Sequence, residues 1–296
     1  KFADRPGVIA FGGGFPNPLA FPVNEIKEII DDLLLSEDGW KPLQYGTTEG
    51  LNELRDMLAK RVYDKYGIKA SRENIVTLNG SQSGLYMVSK TFLNKGDAVV
   101  SEAPTYAGAI TAFNAQLPTW IAIDIEDDGP DMDLMEKRIK ESINNGKRPK
   151  FAYVVPTFQN PAGITWSMEK RKHLLELASE YDFLIFEDDP YSEIRFDGKE
   201  LKPIKSMDTE DRVIYMGTFS KVLAPGIRLG FIVAHEEIKK RIVLLKQAVD
   251  LATNTLSQYL ALEYLKRGLI DKQVPKIVEI YRRKRNIMLE SLENYM

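Results

Sequence analysis

Short apolar runs alternate with helical patterns along most of the chain. The helical patterns cover about 51–66, 81–94, 132–144 and 167–181. The apolar runs predict buried strands at 75–78, 98–100, 151–156, 183–186, 213–217 and 229–234. This alternation predicts an α/β domain with a mostly parallel sheet. From about Glu236 the pattern becomes helical, with one long stretch through Lys266 and another from about Asp271 to the end.

Polar side chains follow four of these runs at the point where each predicted strand ends. A sheet of the parallel type collects such groups at the carboxyl ends of its strands, where a ligand binds. We therefore expect the four groups to form one site. In chain order they are Ser81 with Gln82, Asn160, the acids 187–189 with Tyr191, and Lys221 with Arg228.

The turn between the last two strands carries two hydroxyls, one lysine and one arginine. A poorly solvated Lys221 beside a fixed cation should have a lowered pKa and act as an amine nucleophile. Thr218, Ser220 and Arg228 suit a phosphate, which arginine contacts in a bidentate manner. Pyridoxal phosphate requires this combination. The alternative is an ordinary strand–turn–strand with a solvated lysine.

The other strand ends each allow two interpretations. Asn160 precedes a proline, so its backbone is excluded from the helical region and its amide projects from the strand end, unless it only marks a turn. Glu187, Asp188 and Asp189 follow an apolar strand, and buried carboxylates need partners. A solvated strand end is the alternative for Glu187 and Asp189. Ser81 begins a helix, where it can help to bind an anion or serve as a cap.

The whole run 218–230 resembles the Schiff-base segment of fold-type I pyridoxal-phosphate enzymes, specifically the class I/II aminotransferases. The N-terminal segment 11–22 is similar to that of the 2-aminoadipate and kynurenine aminotransferase subgroup, although a flexible surface arm is the alternative. The likeness covers essentially the whole chain. It implies a mostly parallel seven-stranded sheet sandwiched by helices.

The resemblance also implies roles for individual residues. Lys221 would carry pyridoxal 5′-phosphate as a Schiff base and act as general base, and Asp188, three residues before Tyr191, would pair with the pyridine nitrogen. Asn160 and Tyr191 would share the phenolic oxygen. The further cofactor-binding residues would be Ser81, Gln82, Tyr106 stacked on the ring, Thr218, Ser220 and Arg228.

Two further residues are implied near the substrate and the partner chain. Gly14, with Asn160, would lie at the substrate. Tyr45 would reach the phosphate of the neighbouring subunit in an obligate homodimer, or else be an ordinary buried aromatic in a turn.

The resemblance divides the chain into an N-terminal arm (1–35), a large cofactor-binding domain (36–265) and the start of a C-terminal small domain (266–296). Family members are longer, so the small domain is expected to be largely missing, as in a fragment, a partial chain or a truncated protein. The missing part normally carries the arginine that clamps the substrate α-carboxylate. A truncated form is expected to bind cofactor and turn over poorly.

Composition narrows the classes of function. The 296 residues are 44% hydrophobic, which is enough for one large core plus part of another. The net charge is −3, so the chain lacks the excess of positive charge that nucleic-acid binding needs. No apolar run is long enough for a membrane span, and no signal peptide is evident. Cysteine is absent, and two histidines, His173 and His235 in predicted helices, are too few for a metal centre. The charged run 126–131 is predicted to be a solvated loop. These features predict a cytoplasmic protein.

The favoured function is an aminotransferase that moves an amino group between an L-amino acid and a 2-oxo acid by a ping-pong cycle. A β-lyase or decarboxylase of the same fold type would share every cofactor residue named. A third alternative is the cofactor-binding effector domain of a transcription regulator, which would need a winged-helix module before residue 1.

Overall fold

The computed structural model describes residues 14–296 as alternating strands and helices. The helices are α1 (Val23–Leu35), α2 (Asn52–Tyr66), α3 (Ser81–Phe92), α4 (Ala107–Asn114), α5 (Met132–Asn144), α6 (Met168–Tyr181), α7 (Glu236–Val249), α8 (Thr255–Lys266) and α9 (Leu269–Tyr295). The strands are β1 (Ile75–Leu78), β2 (Ala98–Ala103), β3 (Thr119–Glu126), β4 (Gly129–Pro130), β5 (Pro149–Val154), β6 (Leu184–Asp189), β7 (Val213–Thr218) and β8 (Gly230–Val233).

The strands form one sheet in the order β1-β8-β7-β6-β5-β2-β3-β4. Its centre is parallel, from β3 through β2, β5 and β6 to β7. Strand β8 is antiparallel to both β7 and β1. Because two antiparallel steps restore the direction, β1 ends at the same edge of the sheet as β7. The predicted α/β fold with a mostly parallel sheet is confirmed.

The sheet has eight strands where seven were expected. The additional strand is β4, whose two residues pair antiparallel with the end of β3. The charged run 126–131 therefore forms a short hairpin rather than a free loop, and Asp131 caps α5 by accepting from Leu134 N at 2.9 Å. The sequence analysis did not predict strand β3, in which a short apolar run, 120–123, gives way to alternating acidic and apolar residues and only one face is buried.

Helices cover both faces of the sheet. Side chains from α3, α4 and α7 pack on one face, including Leu85, Phe113 and Ile242. The other face is covered by α1, α2 and α8 at one end and by α5 and α6 at the other. Strands β1, β7 and β8 are buried or nearly buried throughout, as expected for strands covered on both faces.

The predicted helix from Glu236 to Lys266 is two helices. Helix α7 ends at Val249, and Asn254 starts α8 by accepting a hydrogen bond from Ser257 N at 2.8 Å. An asparagine at this position satisfies a free N–H of a new helix, which favours a restart over continuation. His235 is the N-terminal cap residue of α7 rather than an interior helical residue.

The described part of the N-terminal arm contains one helical turn that was not expected. Pro18–Ala20 forms a 3-10 turn, and Asn17 Oδ1 accepts from Leu19 N at 3.1 Å. Residues 11–13 of the predicted substrate-side segment lie outside the described residues. Within residues 14–296 no helix is both long and apolar enough to cross a membrane. The proposed domain boundaries stay a prediction.

Candidate active site

The four predicted polar groups lie at one edge of the sheet. Strand pairing aligns Asp189 with Gly217 and Thr218 with Gly230, which in turn pairs with Leu78 at the end of β1. A Cβ placed on Gly230 would lie 3.0 Å from the backbone nitrogen of Ser81. The first turn of α3 is therefore packed directly against the strands that flank Lys221.

A group of anion-binding elements surrounds this junction. The hydroxyls of Thr218 and Ser220 are 3.1 Å apart, and Ser220 N donates to Thr218 Oγ1 at 3.2 Å. The Arg228 side chain is exposed, packs against Gly80, and forms no ion pair with any residue from 14 to 296. Gly80, with φ +80°, is the cap residue of α3, so Ser81 is the first helical residue and not the cap. Two half-buried hydroxyls, a helix N-terminus and a guanidinium without an ion pair in residues 14–296 fit a phosphate.

Tyr106 lies near both Arg228 and Asp188 of the acidic strand β6. It immediately precedes α4, and a Cβ on Gly108 would come within 2.5 Å of its ring. The pKa of Tyr106 is raised by burial and by Asp188 and lowered by Arg228, so both charges are near its ring. Gln82 bonds to the same segment: its Nε2 donates to Gly108 O at 2.9 Å.

Lys221 is half-buried in the turn after β7. Its Nζ lies 5.8 Å from the centroid of the Tyr191 ring, and it forms no ion pair within the described chain. The pKa of Lys221 is lowered, as predicted, but the cause is burial and not the neighbouring cation. Desolvation alone favours the neutral amine.

Asn160 and Tyr191 meet although they come from different loops. Asn160 Nδ2 donates to the Tyr191 hydroxyl at 3.1 Å. Burial raises the pKa of Tyr191, while this hydrogen bond lowers it. Because the Tyr191 ring also lies near Lys221, the amide, the phenol and the amine form one cluster.

The three successive acids of β6 are all buried, with exposed fractions of 1% for Glu187, 5% for Asp188 and 9% for Asp189. Glu187 accepts from the backbone nitrogens of Ile204 and Lys205 at 2.8 Å. Asp189 accepts from Ser192, through both its N–H and its hydroxyl, and from the hydroxyl of Tyr215. The alternative of a solvated strand end for Glu187 and Asp189 is therefore wrong.

Asp188 is the least satisfied of the three acids. Its Oδ2 accepts from the Tyr153 hydroxyl at 2.9 Å, and its Oδ1 accepts no hydrogen bond from residues 14–296. Burial raises the pKa of Asp188 to about 7, although Tyr153 lowers it. A buried carboxylate with one open oxygen requires a further partner.

Two buried residues of this region were not predicted. Tyr153 lies in an apolar strand and is indistinguishable from a core aromatic in the sequence. Glu102 is the penultimate residue of strand β2, where an isolated acid after an apolar run was a usable signal. It accepts from Val155 N at 3.0 Å and Trp166 Nε1 at 2.7 Å, and so holds the loop that carries Asn160.

Two predicted residues lie apart from this cluster. Tyr45 is 82% exposed, so the alternative of a buried aromatic is wrong, and its backbone N–H bonds only to the side chain of Gln44. Gly14 is exposed with φ +58°, a conformation that favours glycine. Neither residue contacts the cluster around Lys221 within one chain.

Comparisons with known proteins agree with this arrangement. The family described as aminotransferase class I and II matches residues 12–295. Aromatic-amino-acid aminotransferase 1 of Thermococcus litoralis is 46% identical, over 100% of this chain and 71% of the relative. The 2-aminoadipate transaminase of Thermus thermophilus is 38% identical, over 99% of this chain and 71% of the relative.

A solved structure extends the likeness to the fold. Kynurenine aminotransferase of Pyrococcus horikoshii, in complex with PMP, superposes with a TM-score of 0.94 at 45% identity, covering 98% of this chain and 71% of that one. The match of family, relatives and fold confirms the predicted enzyme class and cofactor. This chain therefore belongs to the class I and II aminotransferases, and it transfers amino groups with pyridoxal phosphate as its cofactor.

Proposed function

We propose that Lys221 is the catalytic lysine of this aminotransferase. The observation that carries the proposal is a half-buried amine, without an acid partner in the described chain, whose pKa burial lowers. A neutral amine is competent both to bond to a carbonyl carbon and to move a proton. When bound, pyridoxal phosphate supplies the carbonyl and a ring that accepts electron density from the substrate Cα.

The phosphate is proposed to bind where Thr218, Ser220 and Arg228 face the start of α3. The two hydroxyls donate hydrogen bonds, Arg228 supplies a charge-assisted pair of contacts, and Ser81 and Gln82 offer backbone N–H groups of the first helical turn. Phosphate held there would bring the cofactor within reach of Lys221. The support for this phosphate site is the unpaired Arg228 guanidinium packed against Gly80.

The ring is proposed to lie against Tyr106 with its nitrogen at Asp188. An ionised carboxylate holds a proton on that nitrogen, and the open Oδ1 of Asp188 supports this assignment. Asn160 and Tyr191 are proposed to donate to the phenolic oxygen, since their side chains already meet at 3.1 Å.

The proposal is tested by locating the cofactor on the chain. Borohydride reduction of the purified yellow protein should abolish its visible absorbance and fix the cofactor to one lysine. Peptide mass analysis should find that label on Lys221. Lys246 is an internal control, because burial also lowers its pKa although Asp250 pairs with it at 2.6 Å. Label on Lys246 or any other lysine would contradict the assignment.

Amino acids and 2-oxo acids are the two substrate classes of this activity. We propose that Gly14 and Asn160 lie beside the substrate, Gly14 because its positive φ lets backbone approach a ligand closely. The relatives are named for aromatic amino acids, 2-aminoadipate and kynurenine, so donors of these classes are the first to assay.

We further propose that the enzyme is a homodimer in which Tyr45 reaches the partner's phosphate. Tyr45 is 82% exposed, and Trp40 and Leu43 of the same segment are 60% and 69% exposed. Three exposed large side chains in six residues are typical of a surface that is covered by a partner.

Mixing two inactive variants tests this shared site. Hybrids of Lys221→Ala and Tyr45→Ala should regain activity, because one of their two sites receives both an intact lysine and an intact tyrosine. The milder Tyr45→Phe should weaken cofactor binding by about 1.5–3 kcal/mol, as for one hydrogen bond to a charged group. Activity of the mixture is measured after the hybrids are separated by differential tagging. Proven hybrids without any recovery would mean that each site is built within one chain.

A further inference from the structure

Two buried tyrosines flank strand β6 and bind successive acids of that strand. Tyr153 on β5 donates to Asp188 Oδ2, and Tyr215 on β7 donates to Asp189 Oδ2, both at 2.9 Å. Their exposed fractions are 0% and 2%. Because successive side chains of a strand point to opposite faces, the two pairs lie on opposite faces of the sheet. The chain thus contains two nearly identical phenol–carboxylate pairs in different places.

The two carboxylates differ in their other partners. Asp189 also accepts from the N–H and the hydroxyl of Ser192, so both of its oxygens are engaged. Asp188 accepts from Tyr153 alone among residues 14–296. Its orientation therefore depends on a single phenol, and engagement of Oδ2 leaves Oδ1 as the free acceptor.

The Tyr153 ring is itself held in place by packing. It meets Phe113 edge-on at a centroid distance of 5.2 Å and an angle of 90°, and Phe186 at 5.7 Å and 67°. Burial, with Asp188 adding to it, raises the pKa of Tyr153 well above its ordinary value. The hydroxyl therefore stays protonated across the working pH range and acts as a fixed donor.

We propose that Tyr153 is a positioning residue for the cofactor: its hydroxyl holds Asp188 Oδ2 so that Oδ1 faces the ring nitrogen. This inference rests on the role of Asp188 proposed above. The hydrogen bond also favours the ionised carboxylate, because it lowers a pKa that burial raises to about 7. Without it, Asp188 would be both freer to rotate and more often protonated.

Binding of two probes to the cofactor-free protein tests the inference. The first probe is pyridoxamine 5′-phosphate, which binds without a covalent bond to lysine. The second is its analogue in which carbon replaces the ring nitrogen. Tyr153→Phe should weaken binding of the first probe by about 10–100-fold, the range found when the outer partner of a binding group is removed. It should leave binding of the second probe unchanged.

Tyr215→Phe is the matched control. It removes the same atom from an equally buried ring and from an equally long hydrogen bond, but on the face of Asp189. Both phenylalanine variants should lose similar thermal stability. Only Tyr153→Phe should weaken binding of the first probe while binding of the second probe stays unchanged. Tyr153→Met keeps the site apolar with an adaptable side chain, and it must likewise weaken binding of the first probe only.

The outcomes separate this inference from the one on which it rests. Equal weakening of both probes by the Tyr153 variants, or of neither, would overturn the role of Tyr153. Asp188→Asn should also weaken binding of the first probe more than binding of the second. If it weakens both equally or neither, the assignment of Asp188 to the ring nitrogen is wrong instead. In an Asp188→Asn background, Tyr153→Phe should cause no further difference between the binding of the two probes, because the two residues act as one unit.

Discussion

Replacing Lys221 by alanine should abolish measurable transamination while the protein stays folded and binds cofactor reversibly. Loss of a general base alone costs about 10²–10⁴-fold in rate, and loss of the nucleophile adds to that. Folding should be little affected, because Lys221 forms no ion pair within residues 14–296 that the substitution would break. Single-turnover absorbance changes on mixing with an amino acid measure the effect.

Lys246→Met provides the matched control for Lys221. Burial lowers the pKa of both lysines, but Lys246 is fully buried and pairs with Asp250 on α7. The control should lower the free energy of unfolding and leave the turnover of the folded protein close to wild type. Near-normal turnover in Lys221→Ala, or its loss only in Lys246→Met, would overturn the assignment. Added methylamine should restore part of the rate to Lys221→Ala, since a free amine can then move the proton.

Asp188→Asn should lower turnover by on the order of 10²–10³-fold, the size expected when a charge-stabilising group is removed from the reacting system. The amide still accepts from the Tyr153 hydroxyl, so the local packing is retained. What is lost is the negative charge that keeps a proton on the ring nitrogen. Steady-state kinetics on the cofactor-saturated variant measure the loss.

Asp189→Asn is the control for position along β6. Asp189 uses both oxygens on Ser192 and Tyr215, so its replacement should act on stability, by about 1–3 kcal/mol for unsatisfied buried partners. Its effect on turnover should be much smaller than that of Asp188→Asn. The reverse ranking of the two variants would mean that Asp189 carries the catalytic charge and that the order of the acids was misassigned.

Most of the fold is readable from the sequence because its strands are short apolar runs bounded by turn residues. The runs at 75–78 and 213–217 became β1 and β7 with nearly the predicted bounds. The parallel arrangement then follows from alternation with helices. Strand β3 was not predicted, because only one of its faces is buried and its short apolar run at 120–123 continues into alternating acidic and apolar residues. The break between α7 and α8 was not predicted, because it depends on a single cap residue, Asn254, within a long helical pattern.

The candidate site was predicted residue by residue, but its partners were not. Sequence order places Lys221, Asp188 and Asn160 at strand ends, and strand direction brings strand ends together. The burial of these side chains could not be predicted in this way, since it depends on residues that pack against them from distant parts of the chain. For Glu187 and Asp189 the sequence left a solvated strand end open as an alternative, yet backbone N–H groups and a distant tyrosine satisfy them.

The sequence alone thus determined the fold class and the edge of the sheet at which the candidate residues lie, because both follow from local patterns and strand direction. Only the tertiary structure decided which acid of β6 keeps a free oxygen, that Tyr153 holds it, and that Tyr45 is exposed. Those properties depend on contacts between residues distant in the chain, and no local pattern encodes them.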